Sequence, residues 1–232
     1  MMRLTLLDPY TPQQPFPSVD QALDNPDGLL AVGGCLSTAR LLNAYRQGIF
    51  PWYNPDEPIL WWSPNPRLVL FPEHLNVSRS LRKTLRKQQF SVSFDTAFSA
   101  VLEGCAKPRL DDKGTWLSPE MQAAYCELHR LGYAHSIETW LNDELVGGLY
   151  GVALGQVFFG ESMFHTQTDA SKVAFVYLVE NLIEWGYQLV DCQVYTEHLV
   201  SLGAEEITRR EFSKLLEHYS ELPVSKTAWQ QS

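Results

Sequence analysis

Val157-Phe158-Phe159-Gly160-Glu161-Ser162-Met163-Phe164 is an apolar run interrupted by one acid, and Leu189-Val190-Asp191-Cys192-Gln193-Val194 is a second run of that kind. Both runs predict β-strands, in which successive side chains point to opposite faces, so Asp191 and Gln193 share a face. A carboxylate among apolar neighbours is costly unless it is paired or used for chemistry. Two acids on two strands that one helix separates therefore predict a shared site.

The segments around these runs predict an α+β fold with a mainly antiparallel sheet. Alternating apolar residues predict a β meander that leads into the first run, and its earlier strands are residues 134–141 and 144–154. Cap signals predict four further helices, the second with Asp95 as its N-cap. These helices lie near 78–88, 95–105, 118–131 and 208–219. This order of elements resembles the N-acetyltransferase-like (GNAT) fold in its architecture.

One loop argues against the usual cofactor of that fold. Acetyltransferases of this kind place a glycine-containing loop between the central strand and the next helix, where backbone N–H groups hold pyrophosphate. The corresponding residues 164–172 contain no glycine. Ordinary acetyl-CoA chemistry is therefore not expected.

The N-terminal part of the chain differs in composition from the rest. It is rich in proline and aromatic residues, so extended and turn segments should dominate it. One helix is predicted there, which Ser37 caps and Gly48 ends. We expect a small N-terminal domain, residues 1–66, and a larger GNAT-like catalytic domain, residues 67–232.

The bulk composition excludes several classes of protein. The net charge of −9 argues against unspecific binding of nucleic acid along the whole surface. The four cysteines show no CxxC pair and no metal-binding spacing, which indicates reduced thiols. No segment approaches the roughly 20 apolar residues that a membrane span needs, and the N-terminus is too short and polar for a signal peptide. We expect a cytoplasmic protein without a metal site or a membrane partner.

Two features could bind RNA, and each has an ordinary structural alternative. Trp52 and Trp116 lie in loops rich in glycine and proline, where they could stack on a nucleobase or fill the seam between two lobes. The helix near 78–88 carries several cations on one face, which could follow a phosphate backbone or simply face solvent. These cations are Arg79, Arg82, Lys83 and Arg86.

The acids and the amide of the two runs also have two interpretations. A carboxylate can orient or deprotonate an attacking amine, and an amide can donate to a developing oxyanion. Alternatively, Asp191 and Gln193 form a satisfied polar pair in the core, and Glu161 is an ordinary salt-bridged strand residue. Gly160 would let a ligand or another backbone approach closely. The pattern alone leaves both interpretations open.

A series of short motifs extends from about residue 20 to residue 215. They are Gly28-Leu29-Leu30-Ala31-Val32-Gly33-Gly34, Gly48-Ile49-Phe50-Pro51-Trp52, Trp61-Trp62-Ser63-Pro64, Gly114-Thr115-Trp116, His135-Ser136-Ile137-Glu138, Gly147-Gly148-Leu149-Tyr150-Gly151-Val152, Phe159-Gly160-Glu161-Ser162-Met163-Phe164, Ala170-Ser171-Lys172, Asp191-Cys192-Gln193 and Ser201-Leu202-Gly203-Ala204. Each motif is weak alone, but in this order they closely resemble the bacterial leucyl/phenylalanyl-tRNA–protein transferase family.

The resemblance implies an aminoacyltransferase that moves Leu or Phe, and Met less well, from aminoacyl-tRNA to the α-amine of a protein. The expected acceptors carry an N-terminal Arg or Lys, and the product is marked for N-end-rule degradation. The implied partners are Leu-tRNA, Phe-tRNA and these proteins; no cofactor is implied, and we expect a monomer. The alternatives are a GNAT-type N-acyltransferase that uses acyl-CoA and a non-catalytic tRNA-binding module.

The resemblance also implies roles for individual residues. Asp191 and Gln193 fall on catalytic positions, and Glu161 falls in the acceptor site. Our hypothesis for the mechanism is that Asp191, oriented by Gln193, holds or deprotonates the amine, and the sequence leaves open which polar group transfers the proton. Trp52 and Trp116 fall on positions that hold the terminal adenosine of the tRNA. The candidates for the apolar pocket of the Leu or Phe side chain are Leu149, Phe158 and Phe175.

Overall fold

Within residues 4–107 and 117–230, which a computed structural model describes, the chain forms two β-sheets. The smaller sheet is N-terminal and has the strand order β1-β2-β4-β3. Its strands are β1 (Thr5–Leu7), β2 (Leu29–Gly33), β3 (Phe50–Pro51) and β4 (Leu60–Trp62), and helix α1 (Thr38–Arg46) lies between β2 and β3. The predicted cap of α1 is confirmed, because the Ser37 side chain accepts from the Arg40 N–H.

The larger sheet has seven strands. They are β5 (Arg67–Leu70), β6 (Ser91–Phe94), β7 (Ala134–Leu141), β8 (Glu144–Leu154), β9 (Val157–His165), β10 (Leu189–Gln193) and β11 (Glu205–Ile207). The strand order is β11-β5-β10-β9-β8-β7-β6. All neighbouring pairs are antiparallel except β9 and β10, which are parallel. The predicted α+β class with a mainly antiparallel sheet is confirmed.

The helices pack on both faces of the larger sheet. They are α2 (Arg79–Arg86), α3 (Phe98–Ala106), α4 (Pro119–Arg130), α5 (Ala170–Trp185), α6 (Glu197–Ser201) and α7 (Arg209–Tyr219). Helix α5 makes the crossover that a parallel pair of strands requires. The helix predicted near 208–219 is confirmed as α7, which begins with a capping box of Thr208 and Glu211.

The prediction for Asp95 is wrong. Helix α3 begins at Phe98, with Ala97 at the N-cap and no side-chain cap. Asp95 has a φ of 53° and instead accepts hydrogen bonds across the neighbouring strand, from the Ser136 N–H at 2.8 Å. The four residues before it form β6, because they pair with β7 at the sheet edge. With only four residues, β6 is too short for its alternation to predict a strand.

The buried residues form two apolar clusters, one on each face of the larger sheet. The first cluster joins the two sheets, since Tyr45 of α1 packs with Phe159 of β9 at a ring distance of 5.2 Å. The second cluster lies beneath α5. The proposed division at residue 66 separates the two sheets but not their shared core, and it stays a prediction. Within the described ranges, no helix combines the length and apolar character that crossing a membrane requires.

Candidate active site

Strands β9 and β10 part in the middle of the larger sheet. They pair only from Leu189 opposite Val157 to Asp191 opposite Phe159. A Cβ built on the next residue, Gly160, would meet only the Asp191 carbonyl oxygen, at 3.5 Å. A fork therefore opens between the strands beyond this point, and both acidic runs of the sequence border it.

A β-bulge directs Glu161 into this fork. In the pairing of β8 with β9, Tyr150 lies opposite Ser162 and Gly151 lies opposite Gly160, so Glu161 is the extra residue. A bulge re-aims the side chain that it carries. Glu161 is half-buried and contacts tyrosines of the first cluster.

Three side chains hold the Glu161 carboxyl group. The Tyr45 hydroxyl donates to Oε1 at 2.8 Å, and the Tyr125 hydroxyl donates to Oε2 at 2.6 Å. The Gln193 amide donates to Oε1 at 2.8 Å. The four side chains come from four separate elements: Tyr45 from α1, Tyr125 from α4, Glu161 from β9 and Gln193 from β10. The site therefore depends on the complete fold.

The cluster of Tyr45, Tyr125 and Glu161 has three short oxygen–oxygen contacts but only two phenolic protons. The hydroxyls of Tyr45 and Tyr125 also lie 2.8 Å apart, so three short oxygen–oxygen contacts close a ring through the carboxyl group. Two phenols supply only two protons. Burial raises the pKa of both tyrosines well above the usual value, so they keep these protons. The third contact becomes a hydrogen bond only when Glu161 carries a proton.

The pKa of Glu161 lies between those of an ordinary carboxyl group and an amine. Burial, the largest cause, raises it, and the nearby charge of Asp191 raises it further. Hydrogen bonds from Tyr125, Tyr45 and Gln193 lower it, and the net result is a rise from 4.5 to about 7. Such a group can take up and release a proton at neutral pH.

Asp191 occupies a different environment. Its side chain is fully buried, and Arg67 donates to it through Nε at 2.7 Å and Nη2 at 2.6 Å. A guanidinium stays protonated, so the two parallel hydrogen bonds neutralise the carboxylate. Arg67 therefore holds both carboxylate oxygens of Asp191 in a fixed geometry.

Gln193 connects the two acids. Its backbone N–H donates to Asp191 Oδ1 at 2.9 Å, and its side-chain amide reaches Glu161. The residue has a φ of 65°, a left-handed conformation that is uncommon outside glycine. The pairing of β10 with β5 is irregular at the same place. The bend turns the Gln193 side chain toward Glu161, and Asp191 holds the bend.

The structure describes one of the two tryptophans that we expect to bind the terminal adenosine. Trp52 follows β3 and is 48% exposed, with its ring 6.0 Å from that of Trp62. The Trp62 Nε1–H donates to the Trp52 carbonyl at 2.6 Å and fixes its backbone. An exposed ring on a fixed backbone is available for stacking. Trp116 lies outside the described residues.

The candidates for the apolar pocket are core residues. Leu149, Phe158 and Phe175 are at most 4% exposed and belong to the second cluster, on the α5 face. Phe158 lies opposite Val190, one residue before the last pair of β9 and β10. The structure thus places them beneath the fork, across the sheet from the tyrosines that hold Glu161, and their role in a pocket stays a prediction.

Helix α2 has the two faces that its sequence predicts. Leu81 is buried in the second cluster, and the Thr84 hydroxyl donates to Asp169 at 2.9 Å, which ties α2 to the start of α5. The cations on the outer face are exposed and form no ion pair within residues 4–107 and 117–230. They are Arg79, Arg82, Lys83 and Arg86. A free cationic face is consistent with both interpretations of this helix.

Sequence reasoning missed Tyr45, Tyr125 and Arg67. Tyr45 and Tyr125 lie 116 and 36 residues from Glu161, and Arg67 lies 124 residues from Asp191. No local spacing connects partners so distant. Among the described residues, no group of three or more His, Cys, Asp or Glu side chains is arranged to hold a metal ion.

Comparisons with known proteins give a consistent result along the chain. The family model described as "Leucyl/phenylalanyl-tRNA protein transferase" matches residues 69–217, and the model of its N-terminal domain matches residues 34–65. The leucyl/phenylalanyl-tRNA–protein transferase of Methylococcus capsulatus is 60% identical over 97% of this chain and 96% of its own length. That of Aromatoleum aromaticum is 63% identical over 85% of this chain and 83% of its own length.

Solved structures show weaker likeness. L-PGS from Bacillus licheniformis is 12% identical, with a TM-score of 0.40 over 78% of this chain and 62% of its own. A GCN5-related N-acetyltransferase from Kribbella flavida is 11% identical, with a TM-score of 0.35 over 71% of this chain and 58% of its own. These scores are too low to support an inference about function.

Proposed function

The chain belongs to the leucyl/phenylalanyl-tRNA protein transferase family, and on this premise we propose that it attaches Leu or Phe, and Met less well, to proteins with an N-terminal Arg or Lys. The donor is aminoacyl-tRNA and the acceptor is the protein's α-amine. The product carries a new N-terminal residue that marks it for N-end-rule degradation. We also propose that the enzyme acts as a monomer in the cytoplasm.

The carboxyl group of Glu161 supports this proposal most strongly. The acceptor's α-amine has a pKa of about 7.7–8.0 when free, so much of it is protonated at neutral pH. A base that accepts its proton during attack should itself titrate near neutral pH. Glu161 has a pKa of about 7 and faces the fork, whereas Arg67 already neutralises Asp191.

In the proposed reaction, Glu161 therefore takes the role of proton acceptor that the sequence suggested for Asp191. The amine nitrogen attacks the ester carbonyl, the N–C bond forms, and one amine proton passes to the Glu161 carboxylate. The C–O bond to the terminal ribose then breaks, and the protonated Glu161 returns the proton to the leaving oxygen. An amide and a free ribose hydroxyl result, and the enzyme is regenerated.

Gln193 and Asp191 position this proton acceptor. The amide of Gln193 binds the oxygen of Glu161 that Tyr45 also binds, and Asp191 fixes the backbone of Gln193. Positioning can supply much of the acceleration of an aminoacyl ester reaction, because the ester is already activated. The hydroxyls of Tyr45 and Tyr125 stay within hydrogen-bond distance of the Glu161 carboxyl group and hold it in place while it receives and returns the proton.

The remaining contacts divide between the donor and the acceptor. We propose that Trp52, together with Trp116, stacks on the terminal adenosine. The outer face of α2 follows the RNA backbone, and the Leu or Phe side chain enters the second cluster at the fork. The two positive groups of an N-terminal Arg or Lys favour a carboxylate in the acceptor site, which Glu161 provides.

Peptides with different N-termini test the acceptor preference. Labelled Leu-tRNA is incubated with the enzyme and matched peptides that begin with Arg, Lys or Ala. Transfer to the Arg and Lys peptides alone is expected. Equal transfer to the Ala peptide would contradict the proposed acceptor class, and transfer from leucyl-CoA in place of Leu-tRNA would contradict the proposed donor.

A further inference from the structure

Arg67 lies behind the fork, out of reach of solvent. Its side chain is 1% exposed and donates twice to Asp191. The guanidinium carbon lies 4.9 Å from the ring centre of Phe50 and 4.6 Å from that of Phe212. The third nitrogen of the guanidinium group, Nη1, has no hydrogen-bond partner among the described residues. Arg67 is thus fixed on both faces and along one edge.

This arrangement is a poor device for stability alone. Removing two charges from water is costly, and apolar residues of similar volume often replace a buried ion pair without loss of stability. A role in positioning neighbouring residues explains the buried Arg67–Asp191 pair better than a contribution to stability does.

The contacts continue from Arg67 to the fork. Asp191 uses Oδ1 both to accept from Arg67 and to accept from the Gln193 backbone N–H. That second bond holds Gln193 at its left-handed φ, from which the amide reaches Glu161 at 2.8 Å. If Asp191 rotated, the backbone of Gln193 would lose its anchor.

We propose that Arg67 is a positioning residue for aminoacyl transfer, which holds Asp191 so that Gln193 stays bent toward Glu161. The inference rests on the proposed function, because the roles of Gln193 and Glu161 in aminoacyl transfer are part of that proposal. Phe50 belongs to the smaller sheet and Phe212 to α7. Through these two contacts Arg67 also fixes the position of the fork relative to the smaller sheet and α7. A lysine has neither the planar face nor the two parallel N–H groups for this task.

The Arg67→Lys variant tests the proposal in the peptide-transfer assay. It keeps the positive charge but loses the two parallel hydrogen bonds. We expect kcat per folded molecule to fall about 100-fold, as for a catalytic group displaced by about 1 Å, with an unchanged KM for Leu-tRNA. A kcat equal to that of the wild type would overturn the proposal.

Arg40 offers a matched control. It is also fully buried and lies over an aromatic ring at 5.2 Å, but it donates to the carbonyl oxygens of Thr11 and Gln14. Arg40→Lys should lower the melting temperature in a similar way and leave kcat per folded molecule unchanged. An equal loss of kcat in both lysine variants would show that the effect is general destabilisation and would overturn the proposal.

A double-mutant cycle with Gln193→Ala separates positioning from a purely structural role. If Arg67 acts through Gln193, Arg67→Lys should reduce kcat little further once the amide is gone. Additive losses would overturn the proposal. If Arg67→Lys does not fold, Phe212→Leu frees one face of the guanidinium and should lower kcat about tenfold by smaller misplacement, and an unchanged kcat would again overturn it. Wild-type enzyme that transfers to none of the peptides would instead refute the proposed function.

Discussion

Replacement of Glu161 by glutamine should make the protein more stable at alkaline pH and inactive in transfer. In the unfolded chain a glutamate has its ordinary pKa of 4.5, whereas in the folded protein the pKa of Glu161 is about 7. Between these two values the folded state holds a proton that the unfolded state has released. The stability that Glu161 contributes is therefore complete below pH 4.5 and is lost as the pH rises through 7.

The pKa shift sets the size of this loss. At 1.36 kcal/mol per pKa unit, a rise from 4.5 to about 7 corresponds to about 3 kcal/mol. Glu161 is half-buried, so water screens part of the effect, and about 1–2 kcal/mol is the expected change. In a chain of 232 residues, 1 kcal/mol moves the melting temperature by about 2–4 °C.

Thermal melts at pH 5 and pH 8 measure this change. Glu161→Gln cannot ionise at this position. The melting temperature of the variant minus that of the wild type should therefore increase by about 2–8 °C from pH 5 to pH 8. Glu217→Gln removes the same charge at an exposed position of α7 and should follow the wild type. A Glu161→Gln difference that is the same at pH 5 and pH 8 would refute a raised pKa at Glu161.

The rate profile of the same variant tests the chemical role. Wild-type kcat/KM should increase with pH through a step near 7 from Glu161 and a second from the acceptor amine. Glu161→Gln should lose the lower step and most of the rate. A variant that keeps both steps would show that another group accepts the proton.

Two further predictions concern the donor RNA. Reversal of Arg82, Lys83 and Arg86 to Glu should weaken binding of aminoacyl-tRNA and reduce the slope of log K against log salt by about 2–3, measured by filter binding at several salt concentrations. Unchanged affinity would indicate that this face of α2 only faces solvent. Trp52→Ala should weaken binding of aminoacyl-tRNA by about 1–3 kcal/mol, while Trp52→Phe keeps most of it. Equal losses in both variants would exclude stacking by this ring.

The meander of the larger sheet and the longer helices were predictable because their signals are local and long, whereas β6 and β11, of four and three residues, gave no such signal. The meander alternates over eight or more residues in β7 and β8, and the capping box of α7 lies within four residues. The smaller sheet escaped prediction because its strands are two to five residues long, too short for a periodic signal. Asp95 was misassigned because an aspartate before a helix and one that bonds a neighbouring strand look alike in sequence.

The candidate site was predictable only in part. Asp191, Gln193 and Glu161 stand out as polar residues in apolar runs, and two of them do meet at the fork. Their different environments depend on partners from distant segments, Arg67 for Asp191 and the tyrosines for Glu161. Sequence alone therefore suggested two similar acids, although burial and pairing make one a neutralised anchor and the other a group that titrates near 7.

Two features that are unfavourable for stability, the buried Arg67–Asp191 pair and the raised pKa of Glu161, lie next to each other. This proximity supports a functional origin for both. A buried ion pair contributes little net stability, and the raised pKa of Glu161 lowers stability above neutral pH. Gln193, in an uncommon backbone conformation, joins the two through one hydrogen bond on each side. Selection for folding alone would remove such features, because apolar replacements are available for each. They lie together where β9 and β10 part, and this supports the proposal that Glu161 changes its protonation state during transfer.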